Sequence, residues 1–170
     1  SRADTGIDVK GNCVALYSAD PGALLTKVDA AGLALPESVC LVDTGPYPEA
    51  PPLDPPPGIV FPRQKPPEGL RAEMAALLIG TLVEEEGCLR VEEGESSHLI
   101  VWPYDHMVTA AADSTLQIRD GSGTVVARVG DGVRMGGGEM PSVEGLTSTE
   151  IPDRCDGPYW LASSEIETVN

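Results

Sequence analysis

The two histidines are the residues of this chain that could do the widest range of chemistry. His98 and His106 lie eight residues apart, and Asp105 directly precedes the second. Imidazole nitrogens together with a carboxylate are ligands of catalytic zinc, so these three residues are the candidates for a metal site. They would serve a metal-dependent or other hydrolase together with nearby acids. Their separation across a predicted loop matches no zinc motif, and we expect no metal and no cofactor.

Nucleophilic catalysis has little support in the sequence. The neighbours Ser96, Ser97 and His98 bring a hydroxyl and an imidazole together in the chain, but no acid is placed beside them. The chain also lacks the GxSxG pattern that presents a catalytic serine on a strand-to-helix turn. We therefore predict no catalytic residue and favour a protein that is not an enzyme.

Four of the seven aromatic residues fall into two short groups that could bind a ligand. Trp102 and Tyr104 form one group, and Tyr159 and Trp160 form the other. Exposed together, they would make an apolar platform for sugar rings or a proline-rich peptide. The alternative is that these rings fill a core that otherwise has few large side chains.

The glycine-rich stretch 115–140, TLQIRDGSGTVVARVGDGVRMGGGEM, raises the question of a phosphate or calcium loop. A phosphate loop would need a following helix and a Lys-Ser/Thr pair, and a calcium loop would need alternating acids that end on a glutamate. Neither is present. Apolar and polar residues alternate on both sides of Asp120-Gly-Ser-Gly, which is typical of β-hairpins with tight turns.

The first 45 residues predict a small strand–helix–strand unit. Residues 11–20 and 37–45 read as strands, and Asp20 with Pro21 is a typical start for the helix between them. Gly32 is expected to end this helix. A crossover of this kind makes the two strands parallel.

Residues 46–67 form a segment that we call the strap, in which ten of 22 residues are proline. Proline lacks an amide donor and fixes φ, so the strap is expected to be extended and semi-rigid. Ile59, Val60 and Phe61 would dock it onto a neighbouring core. Proline-rich runs also bind aromatic grooves, but a linker is the favoured interpretation.

Residues 68–163 predict a small β-barrel, followed by a tail at 164–170. Short strands are expected at 77–83, 88–93, 97–102, 115–120, 124–130, 132–137 and 158–163. Such spacing without long helices indicates a barrel or sandwich. The predicted fold class is therefore mostly β, with a small α+β N-terminal unit.

Charge excludes several partners. Acids outnumber bases 27 to 11, for a formal net charge of −16. Binding to nucleic acids and anionic membranes depends on Lys and Arg, so neither is expected as a partner. No apolar run reaches the roughly 18–20 residues that span a bilayer, and we predict no membrane insertion.

Four cysteines, without a CxxC pair, favour two structural disulfides over a zinc or redox site. Of the three pairings that four cysteines permit, we favour Cys13–Cys40 and Cys88–Cys155, because each closes a loop within one predicted unit. Disulfides place the protein outside the reducing cytosol, in a periplasm, on a cell surface or secreted. Four free buried thiols in a cytosolic protein are the alternative.

The motifs GCLRV, VWP and CDGPYW, within residues 77–162, resemble a domain of uncharacterised secreted or lipoprotein-type bacterial proteins. The resemblance implies an OB-like, five-stranded barrel and a Cys88–Cys155 disulfide, and it implies no activity.

From the sequence we expect a non-enzymatic binding or scaffolding module at a bacterial envelope or in a secreted protein, with a protein, peptide or glycan partner. A hydrolase that uses His98 and His106, and a purely structural envelope domain, are the alternatives.

Overall fold

The computed structural model describes residues 14–18, 20–34, 39–43, 50–52, 54–66, 74 and 76–169. The contacts divide the chain into two units. The first comprises residues 1–48 and 67–72, and the second comprises residues 49–66 and 73–170. The described part of the strap thus belongs to the second unit.

The first unit is a strand–helix–strand crossover. Strand β1 (Val14–Ser18) pairs in parallel with β2 (Val39–Asp43), and helix α1 (Pro21–Ala30) connects them. The Asp20 carboxylate accepts a hydrogen bond from the Ala23 amide at 2.8 Å and so caps the helix. The predicted parallel pair and helix start are confirmed.

The Cys13–Cys40 pairing lies outside the described residues, since Cys13 precedes the first of them.

The second unit contains the remaining strands that the structure describes. They are β3 (Ala76–Glu85), β4 (Cys88–Glu93), β5 (Ser96–Val101), β6 (Met107–Ala110), β7 (Leu116–Arg119), β8 (Val125–Arg128), β9 (Gly132–Met140) and β10 (Tyr159–Val169).

Strands β3, β4, β5, β9 and β10 close into a barrel in the order β10-β5-β4-β3-β9, with β9 also pairing with β10. Only β5 and β10 are parallel neighbours in this ring. Strand β5, the third barrel strand along the chain, thus pairs with β4, the second, and with β10, the fifth. Hairpins between consecutive strands therefore do not close the barrel by themselves. The small β-barrel predicted from the strand spacing is confirmed, and this strand order is that of the OB-like, five-stranded barrel that the resemblance implies.

Strands β6, β7 and β8 form a separate antiparallel sheet, inserted between the third and fourth barrel strands. Strand β6 was not among the predicted strands. Ile118 and Ala127 face each other across β7 and β8 and join the barrel core, so the inserted sheet shares that core.

The barrel core is built from alternate positions of its strands, as period-2 patterning requires. On β4, Leu89 and Val91 are fully buried, while Arg90 between them points to the other face. The main cluster also contains Leu78, Leu82, Ile100, Trp102, Val133, Met135, Trp160, Ala162 and Ile166.

Strand β10 continues to Val169 after a register shift between Ala162 and Ile166. Residues 164–169 are therefore strand rather than the predicted tail. The reason is visible in Ile166, which is 7% exposed and joins the barrel core opposite Met135.

The strap docks onto the barrel through main-chain bonds and one large side chain. The Val60 amide donates to the Gly87 carbonyl at 2.7 Å, and the Gln64 amide donates to the Trp102 carbonyl at 2.9 Å. Between these contacts Phe61 is 2% exposed and lies in the main core. The predicted docking of this part of the strap is confirmed.

Candidate functional site

The two tryptophans lie inside the barrel. Trp102 is fully buried and stacks on Phe61, with ring centroids 5.3 Å apart and planes at 10°. Trp160 is 6% exposed. Both rings belong to the main core. For the tryptophans the alternative interpretation, in which the aromatic side chains fill the core, is therefore the correct one. The predicted platform is thus corrected for the tryptophans, because a buried ring has no free face for a ligand.

Tyr104 and Tyr159 are half-buried. The Tyr159 hydroxyl donates to Asp156 at 2.9 Å, and the Gly157 amide donates to the same carboxylate oxygen at 2.7 Å. These two bonds lower the pKa of Asp156, while burial and then the bond to Asp156 raise the pKa of Tyr159. Tyr159 therefore anchors the segment before β10.

In OB barrels, the face of the second and third strands, with neighbouring loops, binds oligonucleotides and oligosaccharides. Here β4 and β5 are those strands, and their outward residues Cys88 and Leu99 are buried. They form a second cluster with Cys155, covered by Val60, Ile151 and Tyr159.

The disulfide Cys88–Cys155 holds this cover in place by joining the start of β4 to the 3₁₀ turn Asp153–Cys155. The predicted pairing is confirmed. Arg90, beside Leu99 on the same face, donates to the main-chain carbonyl of Asp156. The part of the ligand face around Leu99 is therefore packed against the protein's own chain.

His98 lies on β5 with only 7% of its surface exposed. Its Nε2 is 3.6 Å from Glu139 Oε2, and its ring meets Trp160 edge-on, with centroids 6.0 Å apart. Its Nδ1 is buried without a hydrogen-bond partner among the described residues. Glu139 itself is 65% exposed, so this pair lies at the boundary between the barrel interior and solvent.

His106 lies in the segment between β5 and β6 and is 1% exposed. Its Nδ1 is 2.8 Å from Asp105 Oδ1, and its Nε2 is buried without a partner in the described chain. Arg63 of the strap donates through Nη1 to the main-chain carbonyls of Pro51 at 2.8 Å and His106 at 3.4 Å.

Arg63 is 7% exposed, and burial lowers the pKa of its guanidinium, while Asp105 opposes that change. The Arg63–Asp105–His106 cluster thus ties the strap to the segment that precedes β6. A charged group this deep must be hydrogen-bonded to persist, which is consistent with a structural role.

The structure does not bring the metal candidates together. His98 faces Glu139 and His106 faces Asp105, so each imidazole has a different carboxylate. Within the described ranges no group of three or more His, Cys, Asp or Glu side chains could hold a metal ion. The arrangement offers two separate imidazole–carboxylate pairs.

A cavity of about 210 Å³ lies on the surface of the second unit between the strap and the chain before the 3₁₀ turn. We call it the notch. Its lining consists of Pro55, Ile59, Val60, Phe61, Thr149 and Glu150. Sequence reasoning identified Ile59–Phe61 as docking residues but missed the role of Thr149 and Glu150, because nothing local indicates that they meet the strap.

No protein-family model, no curated protein and no solved structure matches the chain. In the part of the chain that the structure describes, no helix is long and apolar enough to cross a membrane. The resemblance to secreted bacterial domains therefore stays an expectation from the sequence motifs, and the OB-like architecture rests on the observed strand pairing.

Proposed function

We propose that this chain is a non-enzymatic, extracytoplasmic binding or scaffolding module of a bacterial envelope or secreted protein. Its partner is a protein, a peptide or a glycan. The observation that carries the proposal is the covered part of the β4–β5 face around Leu99. A barrel that packs this part of its usual ligand surface against its own chain, and fixes that chain through Cys88–Cys155, uses the fold as a rigid support.

The positions of the reactive side chains favour a scaffold over an enzyme. General acid–base or metal catalysis needs several groups aimed at one reacting atom. His98 and His106 instead sit in separate pairs with Glu139 and Asp105. Both imidazoles are more than nine-tenths buried, which leaves little ring surface for a substrate.

The charge of the second unit favours partners that are not polyanions. Residues 77–162 contain fifteen Asp and Glu against five Arg and no Lys, so 5 − 15 gives a net charge of −10. A field of this sign attracts cationic surfaces and slows the approach of nucleic acids or anionic lipids. The disulfide supports an oxidising compartment for the encounter.

An array test separates binding from catalysis. The metal content of the purified, oxidised protein is measured first, and the protein is then dialysed against a chelator and applied to peptide and glycan arrays. We expect saturable binding to at least one class of probe without any metal. Stoichiometric metal that is lost in His98→Ala or His106→Ala would contradict the proposal and favour a hydrolase, and silence on both arrays would favour a purely structural domain.

A further inference from the structure

The notch is held open by main-chain bonds of the strap. The Ile59 amide donates to the Pro56 carbonyl at 3.0 Å, and the Val60 amide donates to the Gly87 carbonyl at 2.7 Å. On the facing side, the Ser148 amide donates to the Arg63 carbonyl at 2.8 Å and so brings Thr149 against the strap. A cavity whose walls are bonded in this way keeps its shape without an occupant.

The lining of the notch is apolar with one unsatisfied hydroxyl. Pro55, Ile59, Val60 and Phe61 supply hydrocarbon. The Thr149 Oγ1 atom is buried and has no hydrogen-bond partner within the described residues. Buried hydroxyls normally have a partner, since an unpaired one loses its bonds to water without replacement. Because this oxygen has almost no accessible surface, the walls present mainly hydrocarbon to the space of the notch.

The size of the notch limits what can fill it. Pockets for small-molecule ligands and cofactors are usually about 300–1,000 Å³. At about 210 Å³ the notch is below that range. One aliphatic side chain such as leucine, with a little of its main chain, is a better match than a cofactor or an oligosaccharide.

The rim of the notch is acidic. Glu150 lines the notch and is exposed, and Asp54, which directly precedes Pro55, is also exposed. Arg154, which follows Glu150 in the chain, donates through Nε to the Glu86 carbonyl at 3.1 Å. The formal net charge of −16 adds a long-range field of the same sign. An apolar side chain flanked by basic residues would complement both the walls and the rim.

We propose that the notch is a docking site for a peptide segment of a partner protein, in which one aliphatic side chain lies between Lys or Arg residues. The aliphatic side chain fills the space between Val60 and Thr149, and the flanking cations meet Glu150 and Asp54. This inference rests on the proposed function as a binding module, and it adds the chemical class of the partner.

Fluorescence anisotropy with three labelled peptides tests the docking site. The probe is Gly-Lys-Lys-Leu-Lys-Lys-Gly, and its two controls replace Leu by Ser or every Lys by Glu. We expect the probe to bind, the Ser control to bind roughly tenfold more weakly because it buries little apolar surface, and the Glu control not to bind. Any cationic peptide is drawn to an acidic protein, so the Leu-to-Ser difference measures the notch itself.

Variants locate the binding at the notch. Thr149→Val keeps the shape of the notch and removes a hydroxyl that has almost no accessible surface, so affinity for the probe should stay unchanged. Glu150→Gln should reduce affinity about twofold and weaken its salt dependence. Glu144→Gln removes an exposed carboxylate of the same loop that does not line the notch, and it should leave affinity unchanged.

Equal affinity for the Leu and Ser peptides, or equal losses in Glu150→Gln and Glu144→Gln, would overturn the docking site and leave only general charge attraction. Failure of every cationic peptide to bind would overturn it as well. If the arrays still report another peptide or a glycan, the proposed function stands without the notch. If the arrays are silent too, both fail.

Discussion

Gln64 shows how much a single residue of the strap contributes to the barrel. Its Nε2 donates to the Val101 carbonyl at 3.1 Å and to the Ala162 carbonyl at 2.6 Å, and the residue is 5% exposed. It thereby joins the strap to the ends of β5 and the first part of β10. A polar residue in a proline-rich segment is usually solvated, so this role was not foreseen.

Gln64→Leu should lower the free energy of unfolding by about 2 kcal/mol, because two buried carbonyls lose a hydrogen-bond donor while side-chain volume is kept. Urea titration followed by tryptophan fluorescence measures the change. Lys65→Ala, at the exposed neighbouring position, is the control and should stay within about 0.5 kcal/mol of the parent. Equal effects at the two positions would show that the buried bonds contribute nothing.

The carboxyl group of Asp120 makes the stability of the β7–β8 turn depend on pH. Burial raises the pKa of this carboxyl, but the Ser122 hydroxyl, the Thr124 and Ser122 amides and the nearby His106 outweigh it, so the pKa is lowered. A lowered folded-state pKa means that the carboxylate stabilises the fold above its unfolded value of 3.8 and loses this effect as pH falls through the lower, folded value.

Asp120→Asn should therefore be less stable than the parent at neutral pH, and the difference should shrink as pH drops below about 4. Thermal midpoints measured across the acidic range by circular dichroism report the trend. Glu144→Gln is the control for removal of one exposed charge. A difference that stays constant with pH would mean that the carboxylate charge has no part in the turn.

At the scale of elements, the β3–β4 hairpin and the strap depend on each other. Gly87, in the turn, has φ +84°, and a Cβ built there would lie 2.1 Å from the Gly58 carbonyl oxygen of the strap. Gly94, in the β4–β5 turn, has φ +61° and open space around it. Both turns need left-handed backbone, but only the first is pressed against another segment.

This pair makes a matched test. Gly94→Ala should cost about 1 kcal/mol from backbone conformation alone. Gly87→Ala should cost clearly more and should also shift tryptophan emission to the red, because displacing the strap removes Phe61 from the face of Trp102. Similar losses of unfolding free energy in the two variants, without a spectral shift, would show that the strap can move away from Gly87 at little energetic cost.

On the scale of the whole molecule, the second unit has the features of an independently folding domain. It contains the closed barrel, the Cys88–Cys155 disulfide and both tryptophans of the chain. About 120 residues are also enough for a single hydrophobic core.

A fragment of residues 49–170 should therefore keep the tryptophan emission and the unfolding midpoint of the full chain, within about 2 °C. Fluorescence-detected thermal unfolding of the two proteins makes the comparison. Emission typical of solvent-exposed tryptophan in the fragment would show that residues 1–48 are needed to complete the barrel.

The sequence predicted most barrel strands because alternation and turn residues are local signals. Asp120-Gly-Ser-Gly, for example, forms the predicted hairpin turn, in which Asp120 accepts hydrogen bonds from the Ser122 and Thr124 amides. Strand β6 is four residues long, as are β7 and β8, but no glycine-containing turn follows it to mark its end, so it was not recognised. The C-terminal half of β10 was missed because its polar residues resemble a tail.

The candidate site was much less predictable than the strands. Whether Trp102 faces solvent or the core depends on Phe61, which is distant in the chain and reaches it only when the strap docks. The notch likewise brings together Val60 and Thr149, which are far apart in the sequence. Such meetings are set by tertiary packing, and no pattern within a window of residues records them.

The Cys88–Cys155 bond joins positions 67 residues apart and encloses six complete strands, β4 to β9, in one covalent ring. A protease that cuts the exposed turn at Ser122 would open this ring without releasing a fragment, since both halves remain attached through sulfur. Under reducing conditions the same cut would separate the chain in two. In any oxidising medium that contains proteases, the molecule can thus survive nicking with all of its barrel strands still linked.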